Sequence, residues 1–305
     1  MYLKFFLKYI LTRGSAYLDL EFFTDIVILS TVKLGKEDLS KKTTIRIGPV
    51  VNWIQIESVE DLSAIDTYKK QFSGQFWIGN GSNLLVSDAA ENLLFISLSG
   101  KFNLIEYDGQ TVIAGAGVKI STLLDFCINN GLSGLEWMAG IPATVGGAIF
   151  MNAGVGVDCI LNHIKSIDCL IDGRVAELRE FDFEYRKGIE RKILSAKFEF
   201  CRTDKAQVYG NFEAARAARI KRQPSGRSFG SVFKNPRGLY AGKLIEECGL
   251  KGMTSGEAVI SERHANFIIN RTGASFDDVY NLILEAEKRV YEKFGIILAR
   301  EVKIV

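Results

Sequence analysis

Three short segments hold the side chains best suited to chemistry. Gly230 to Pro236 places the Ser231 hydroxyl, the Lys234 ammonium and the Asn235 amide close together. No histidine adjoins Ser231, so a hydrolase-type triad is not supported. A serine can instead give a proton to a carbanion if its conjugate base is stabilised nearby. Lys234 suits a phosphate or a carboxylate, although the segment also reads as a surface turn. Tyr185 and Arg186 open a run with Lys187, Arg191 and Lys192, which by itself favours a solvated basic edge. Glu301 stands in an otherwise apolar C-terminal stretch, where a carboxylate needs a partner or a role. The adjacent Arg300 offers an ordinary ion pair. His264 and Asn266 read at least as well as structural hydrogen-bonders.

Two glycine-rich segments suit a phosphate-bearing cofactor. In the first, Gly79, Asn80, Gly81, Ser82, Asn83 and Leu84 follow a short apolar run. Successive backbone N–H groups in such a turn form a concave anion site. The segment is not G-x-G-x-x-G and no acidic residue follows at the Rossmann spacing, so alone it reads as a strand-to-loop turn. The second runs from Gly140 to Gly154 without a charged residue. Gly140, Gly146 and Gly147 allow close approach, and Pro142 fixes a turn. Ile141, Ala148 and the polar Thr144 and Asn152 complete a surface whose amides suit a pyrophosphate or a flat heterocycle.

The elements that must position these groups are legible in outline. Thr43–Gly48 predicts a strand, Ser58–Lys70 a helix capped by Ser58 and Asp61, and Gln75–Gly79 and Leu93–Leu98 two more strands. Asp108-Gly109 and Asp172-Gly173 each sit between β-rich runs and predict hairpins with two positive φ values. Ser121–Asn130 predicts a helix closed by Gly131. Asn211–Arg222, Ala241–Cys248 and a long helix capped by Ser275 and Asp278 follow, then a final strand Ile296–Val305.

Totals narrow the function classes. The chain has 305 residues, net charge +2 and no basic tail, so nucleic acid is not an expected partner. Five cysteines without C-x-x-C predict no disulfide framework and a reducing cytoplasmic setting. Two histidines cannot build a His-rich metal site, and no metal is expected. Lys4, Lys8 and Arg13 interrupt the apolar N-terminus, which predicts an extra element on the first lobe rather than an export signal. No apolar run reaches the ~18 residues of a membrane span.

The ordered segments resemble one family. They are Thr44–Gly48, Gly81–Leu85, Gly134–Ala148 with Asn152–Gly154, Tyr185-Arg186, Gly230–Pro236, Ala241–Glu246, Gly249–Gly252, His264–Asn270 and Glu301-Val302. Their order over about residues 40–305 is similar to the UDP-N-acetylenolpyruvoylglucosamine reductase (MurB) family, flavoenzymes of peptidoglycan synthesis. The resemblance implies an α+β chain: a two-lobed FAD-binding domain of the p-cresol methylhydroxylase/vanillyl-alcohol oxidase type at 41–202, lobes about 41–100 and 101–202, then an α+β substrate domain at 203–305. Residues 1–40 are an N-terminal extension without a match. It implies noncovalent FAD, with NADPH and UDP-N-acetylglucosamine-enolpyruvate using one site in turn. It implies Arg186, Ser231 and Glu301 as catalytic residues, with Ser231 the proton donor to C2. Tyr185, Lys234 and Asn235 would line the substrate, and the two glycine segments the cofactor. Lack of a long insertion matches the shorter of the family's two types. The resemblance says nothing of the oligomeric state, and a monomer suffices.

Four positions depart from the family's pattern. Pro49 replaces a glycine and is expected to alter the first flavin-side turn. Gly188 replaces a serine and is expected to loosen the loop of Arg186. Phe229 replaces a small residue and is expected to narrow the site. Ala299 replaces a glutamate. Two other readings remain: an FAD oxidoreductase of the same fold with another substrate, and a non-catalytic flavin- or nucleotide-binding protein.

Overall fold

The computed structural model describes residues 32–305; the N-terminal element expected on the first lobe lies outside the described residues. Four strands, Gly35–Asp38 (β1), Val50–Ile56 (β2), Gly74–Trp77 (β3) and Leu93–Leu98 (β5), form a sheet in the order β1-β2-β5-β3. The inner pairs are parallel, and β1 closes one edge antiparallel to β2. This lobe therefore reaches back to Gly35, and the helix Leu39–Lys42 spans residue 40. A two-residue strand, Leu84–Leu85 (β4), follows the first glycine segment.

The second lobe contains Ile105–Tyr107 (β6), Val112–Gly115 (β7), Leu132–Ser133 (β8), Gly154–Val155 (β9), Asp158–Cys159 (β10), Ile164–Ile171 (β11), Arg174–Leu178 (β12), Lys192–Phe198 (β13) and Cys201–Arg202 (β14). Its main sheet is antiparallel, in the order β12-β11-β13-β7-β6. Both predicted hairpins form, by different turn chemistry. Asp172 and Gly173 have φ +48° and +76°, as a tight two-residue turn requires. At the other, only Gly109 is positive, at φ +95°, and the Asp108 carboxylate accepts the Gln110 and Thr111 N–H groups at 2.8 and 2.7 Å.

The C-terminal region packs Ala241–Glu247 and the long helix Phe276–Phe294 against Thr254–Ser255 (β15), Ala258–Ile260 (β16) and Ile268–Asn270 (β17). Ser275 and Asp278 close the predicted capping box, and Gly295 ends the helix at φ +67°. Val279, Leu282, Ile283, Ala286 and Val290 are buried along its inner face. Ile45, Ile47 and Leu85 of the first lobe enter the same core, so that lobe and the C-terminal region share apolar packing.

Some predicted elements differ. Thr43–Gly48 is an irregular turn rather than a strand: the Thr43 hydroxyl lies within hydrogen-bond reach of the Leu39 and Ile47 carbonyls, at 3.1 and 2.9 Å, and Arg46 lies at φ +63°. The helix from Ser58 is shorter, Ser63–Tyr68, behind a one-turn 3₁₀ segment. Another runs Lys205–Arg222, six residues earlier than expected, because Asp204 caps it and Gly210 is tolerated inside. The final strand shrinks to Lys303–Ile304 (β18). Before it, Glu301 and Val302 both donate to the Val232 carbonyl, at 2.8 and 3.2 Å, and two residues opposite one break a regular ladder. β18 pairs parallel with β4, which sets the C-terminal segment beside the first glycine turn.

Candidate active site

The first glycine segment presents a run of uncommitted backbone amides among the described residues. Among the described residues, the backbone N–H groups of Gly79, Asn80, Gly81, Ser82 and Asn83 donate no hydrogen bond. Gly81 holds φ +60°, and a Cβ there would lie 3.0 Å from the Lys42 carbonyl oxygen. Consecutive free amides in a tight turn attract an anion. The second segment closes over the first: a Cβ on Gly79 would fall 2.4 Å from Thr144 Oγ1, and Asn80 Nδ2 donates to the Pro142 carbonyl at 2.8 Å.

The weight expected of the two segments is partly reversed. Val145, Gly146, Gly147 and Ala148 already donate their amides, to Val118 O, Ala116 O, Thr144 Oγ1 and Thr144 O. Thr144 acts as N-cap of the helix Val145–Phe150. Gly146 is needed for packing, since a Cβ would sit 2.9 Å from the Ala116 methyl. Those four amides are therefore committed within the protein, whereas, among the described residues, the amides of 79–83 are not. Asn152 is buried, its Nδ2 donates to the Glu184 carbonyl at 3.0 Å, and its Oδ1 has no hydrogen-bond partner. An unsatisfied buried acceptor beside a nest of free donors fits a ligand bearing both anion and N–H groups.

The catalytic candidates meet beside this cradle. Arg186 sits at φ +56° in a turn where Glu184 and Lys187 exchange backbone hydrogen bonds of 2.9 and 3.1 Å. Its guanidinium lies over the Tyr185 ring, 5.4 Å from the centroid. Arg186 Nε is 3.0 Å from Glu301 Oε1, but the buried N–H points off line and forms no hydrogen bond. A cavity of about 110 Å³ is lined by both, with Lys187, Glu190, Lys234, Arg300 and Lys303, so cations outnumber carboxylates around it. Burial raises the Glu301 carboxyl above the ordinary glutamate range, against the opposing pull of Arg186 and Lys234. Arg300 is not the partner of Glu301: its Nε and Nη2 donate to the Glu287 carboxylate at 2.5 and 2.7 Å.

Ser231 and Asn235 stand outside that cavity. The Ser231 hydroxyl makes no hydrogen bond among the described residues, and its backbone bridges Phe267. The next residue, Val232, takes the Glu301 N–H, so the two segments are in register. Asn235 Oδ1 accepts the Ala241 N–H at 3.0 Å, and its amide nitrogen has no hydrogen-bond partner among the described residues. His264 and Asn266 are structural: His264 Nδ1 accepts the Asn266 N–H, and Asn266 bridges the backbone N–H and carbonyl of Phe233.

Residues 54–173 match an FAD-binding domain, and residues 222–305 match the C-terminal domain of UDP-N-acetylenolpyruvoylglucosamine reductase. The reductase of Bacillus subtilis (strain 168) is 37% identical over 283 residues, covering 89% of this chain and 93% of that protein. The chain belongs to the UDP-N-acetylenolpyruvoylglucosamine reductase (MurB) family. The reductase of Caldanaerobacter subterraneus subsp. tengcongensis is 35% identical, covering 98% of this chain and 96% of that one. The crystal structure of the Thermus caldophilus reductase superposes with TM-score 0.79 at 33% identity, over 90% of this chain and 99% of that chain. The chain is thus an FAD-containing oxidoreductase with a two-lobed FAD-binding fold of the p-cresol methylhydroxylase type and an α+β C-terminal region.

Of the four positions noted in the sequence, Gly188 and Phe229 behave differently from expectation. Gly188 does not loosen the Arg186 loop: a Cβ there would lie 1.8 Å from the Ile149 carbonyl oxygen, and Gly188 N–H donates to Phe150 at 3.2 Å. The missing side chain lets the loop press onto the residues before Asn152. Phe229 does not narrow the site; it is 2% exposed and packs in the C-terminal core. Ala299 is exposed and offers its carbonyl to the Lys234 N–H at 2.8 Å. The Pro49 carbonyl accepts the Leu39 N–H at 3.0 Å and ties the turn to the short helix. Sequence reading missed Arg219, whose Nε donates to the Ala139 carbonyl at 2.9 Å. Nothing in a helix rich in arginine and lysine singles it out.

Proposed function

We propose that the chain uses NADPH to reduce UDP-N-acetylglucosamine-enolpyruvate to UDP-N-acetylmuramate. Bound FAD would accept a hydride from NADPH and deliver it from N5 to the vinyl carbon C3. The observation that carries the reading is the Arg186–Glu301 pair, drawn from distant segments into a cationic cavity next to a nest of free amides.

Gly79 to Asn83 would hold the pyrophosphate of FAD. Gly140, Ile141, Pro142, Thr144, Gly146, Gly147, Ala148 and Asn152 would shape the wall against its ring, and Asn152 Oδ1 could accept a ring N–H. Hydride arrival at C3 leaves negative charge over C2 and the carboxylate. Fixed cations around that enolate stabilise the transition state more than the ground state. Arg186, whose planar fork matches a carboxylate, fits this task, with Lys234 adding a second charge. Tyr185 would hold the Arg186 guanidinium in place. Ser231 would give the C2 proton, its hydroxyl being free of other commitments. Glu301, with its carboxyl shifted toward the protonated form, would donate a hydrogen bond into the same cluster.

An anaerobic titration tests the proposal. NADPH should bleach the flavin, and only the enolpyruvyl substrate should restore its colour. Bleaching without recovery would overturn the substrate assignment in favour of another FAD oxidoreductase. A flavin that NADPH leaves oxidised would overturn the enzymatic reading altogether.

A further inference from the structure

Asn266 holds the backbone on which the substrate-side groups are mounted. It is 3% exposed, in the connection between β16 and β17, where the Phe267 N–H donates to the His264 carbonyl at 3.0 Å and turns the chain. The Asn266 carbonyl accepts the Val232 N–H at 2.9 Å. A regular strand would offer Phe233 the next backbone groups, but here the chain has already turned. The Asn266 side chain supplies them instead. Its Oδ1 accepts the Phe233 N–H at 2.9 Å, and its Nδ2 donates to the Phe233 carbonyl at 2.8 Å. A primary amide carries a donor and an acceptor at the spacing this needs. His264 Nδ1 accepts the Asn266 N–H at 3.2 Å and steadies the backbone behind the amide. Without that amide a buried donor and a buried acceptor would lose their partners, and the segment would shift to find others.

The two peptides gripped in this way carry the catalytic candidates. The Val232–Phe233 peptide lies between the Asn266 side chain and the Glu301 segment, because its carbonyl takes the Glu301 N–H at 2.8 Å. The Phe233–Lys234 peptide lies between the same side chain and Ala299, whose carbonyl takes the Lys234 N–H at 2.8 Å. Ser231 and Lys234 flank these peptides, and Lys234 lines the cavity with Arg186 and Glu301. Neither the Ser231 hydroxyl nor the Lys234 ammonium has a hydrogen bond or ion pair among the described residues, so the backbone aims them. We infer that Asn266 is a positioning residue of the substrate half-reaction, its amide setting the spacing of Ser231 and Lys234 from Glu301. This rests on the reductase reading above. In this role Asn266 acts through Phe233 and not on a reacting atom.

Two variants separate positioning from packing. In Asn266→Asp one oxygen still accepts the Phe233 N–H, but an ionised carboxylate sets the other against the Phe233 carbonyl. Its protonated form restores the donor. Asn266→Gln keeps the amide and displaces it by one methylene. Thermal melting and FAD content identify folded, loaded protein, and the two half-reactions are then followed anaerobically. Both variants should be reduced by NADPH at the parent rate. Both should be reoxidised by the enolpyruvyl substrate about 10²-fold more slowly, the loss that a displacement of about 1 Å causes. For Asn266→Asp the ratio of variant to parent rate should recover as pH falls, whereas for Asn266→Gln it should not change with pH. If the Asp variant does not fold, the Gln variant decides by the same comparison of half-reactions. Reoxidation at the parent rate in a variant with a lowered melting temperature would overturn the inference and leave Asn266 a packing amide. Equal slowing of both half-reactions, or an Asp ratio that does not vary with pH, would overturn it as well. Failure of both variants to fold would do the same, making the amide a requirement of the fold. Parent protein whose reduced flavin the enolpyruvyl substrate does not reoxidise would instead defeat the reading on which the inference rests.

Discussion

Asn83 Nδ2 donates to the Glu301 carbonyl oxygen at 3.0 Å. One side chain therefore joins the turn proposed to hold the cofactor phosphates to the segment that carries the buried carboxylate. Lys303 N–H donates to the Asn83 carbonyl at 3.1 Å, so the link is doubled through the backbone. Asn83→Ala should cost about 1 kcal/mol of stability, the typical worth of one such bond. It should also weaken FAD binding, because the nest loses its brace. Melting curves and FAD titration check this; an unchanged FAD affinity would show that the nest is rigid without Asn83.

Arg186→Ala should lower kcat about 10²–10³-fold with FAD still bound, the usual loss for one preorganised charge at a developing anion. Arg186→Lys should recover little, since an ammonium lacks the planar fork. Single-turnover reoxidation of the reduced flavin by the enolpyruvyl substrate is the measurement. Full activity in the lysine variant would contradict the two-point contact.

Glu301 gives the site a pH dependence with a definite sign. Its folded pKa lies above the unfolded value of about 4.3. The folded state therefore binds the proton more tightly, and this contribution is fully present below about pH 4.3 and is lost as pH rises through the raised value. Glu301→Gln should remove that slope from the stability profile. It should also flatten the alkaline fall of the substrate half-reaction that follows loss of the carboxyl proton. Parallel stability and rate profiles of the two proteins would show it, and superimposable profiles would count against a shifted Glu301.

Ser231→Ala should leave reduction of the flavin by NADPH intact and slow its reoxidation by the substrate about 10²–10⁴-fold, the range for a positioned proton donor. Equal slowing of both half-reactions would point to a packing defect instead.

Gly188→Ser, which introduces the residue that the resemblance led one to expect there, should destabilise this chain. The new Cβ meets the Ile149 carbonyl, and overpacking of this kind costs about 1–3 kcal/mol. It should displace Arg186 with the loop and reduce activity beyond the loss of stability. A variant as stable and active as the parent would show that the backbone at 149–152 yields easily.

Local chemistry made much of the fold readable. Ser275 with Asp278, Gly131, Gly295 and the two Asp-Gly turns act through their own backbone and nearest neighbours, so their residue types suffice to place them. Thr43–Gly48, and all but Lys303–Ile304 of the strand expected over Ile296–Val305, are irregular because apolar residues also suit a non-strand segment whose side chains enter a core built elsewhere. Spacing and residue type determined which side chains could do chemistry: Arg186, Ser231, Lys234 and Glu301, with glycines for a cofactor. Tertiary structure alone decided their partners. Glu301 meets Arg186 rather than the adjacent Arg300 because β18 pairs with β4 and Glu287 holds the Arg300 fork. The free amides at 79–83, the committed ones at 145–148 and the approach of Arg219 to Ala139 arise from the same cause. A donor's availability depends on which acceptors the rest of the chain brings within reach, and no local pattern encodes that.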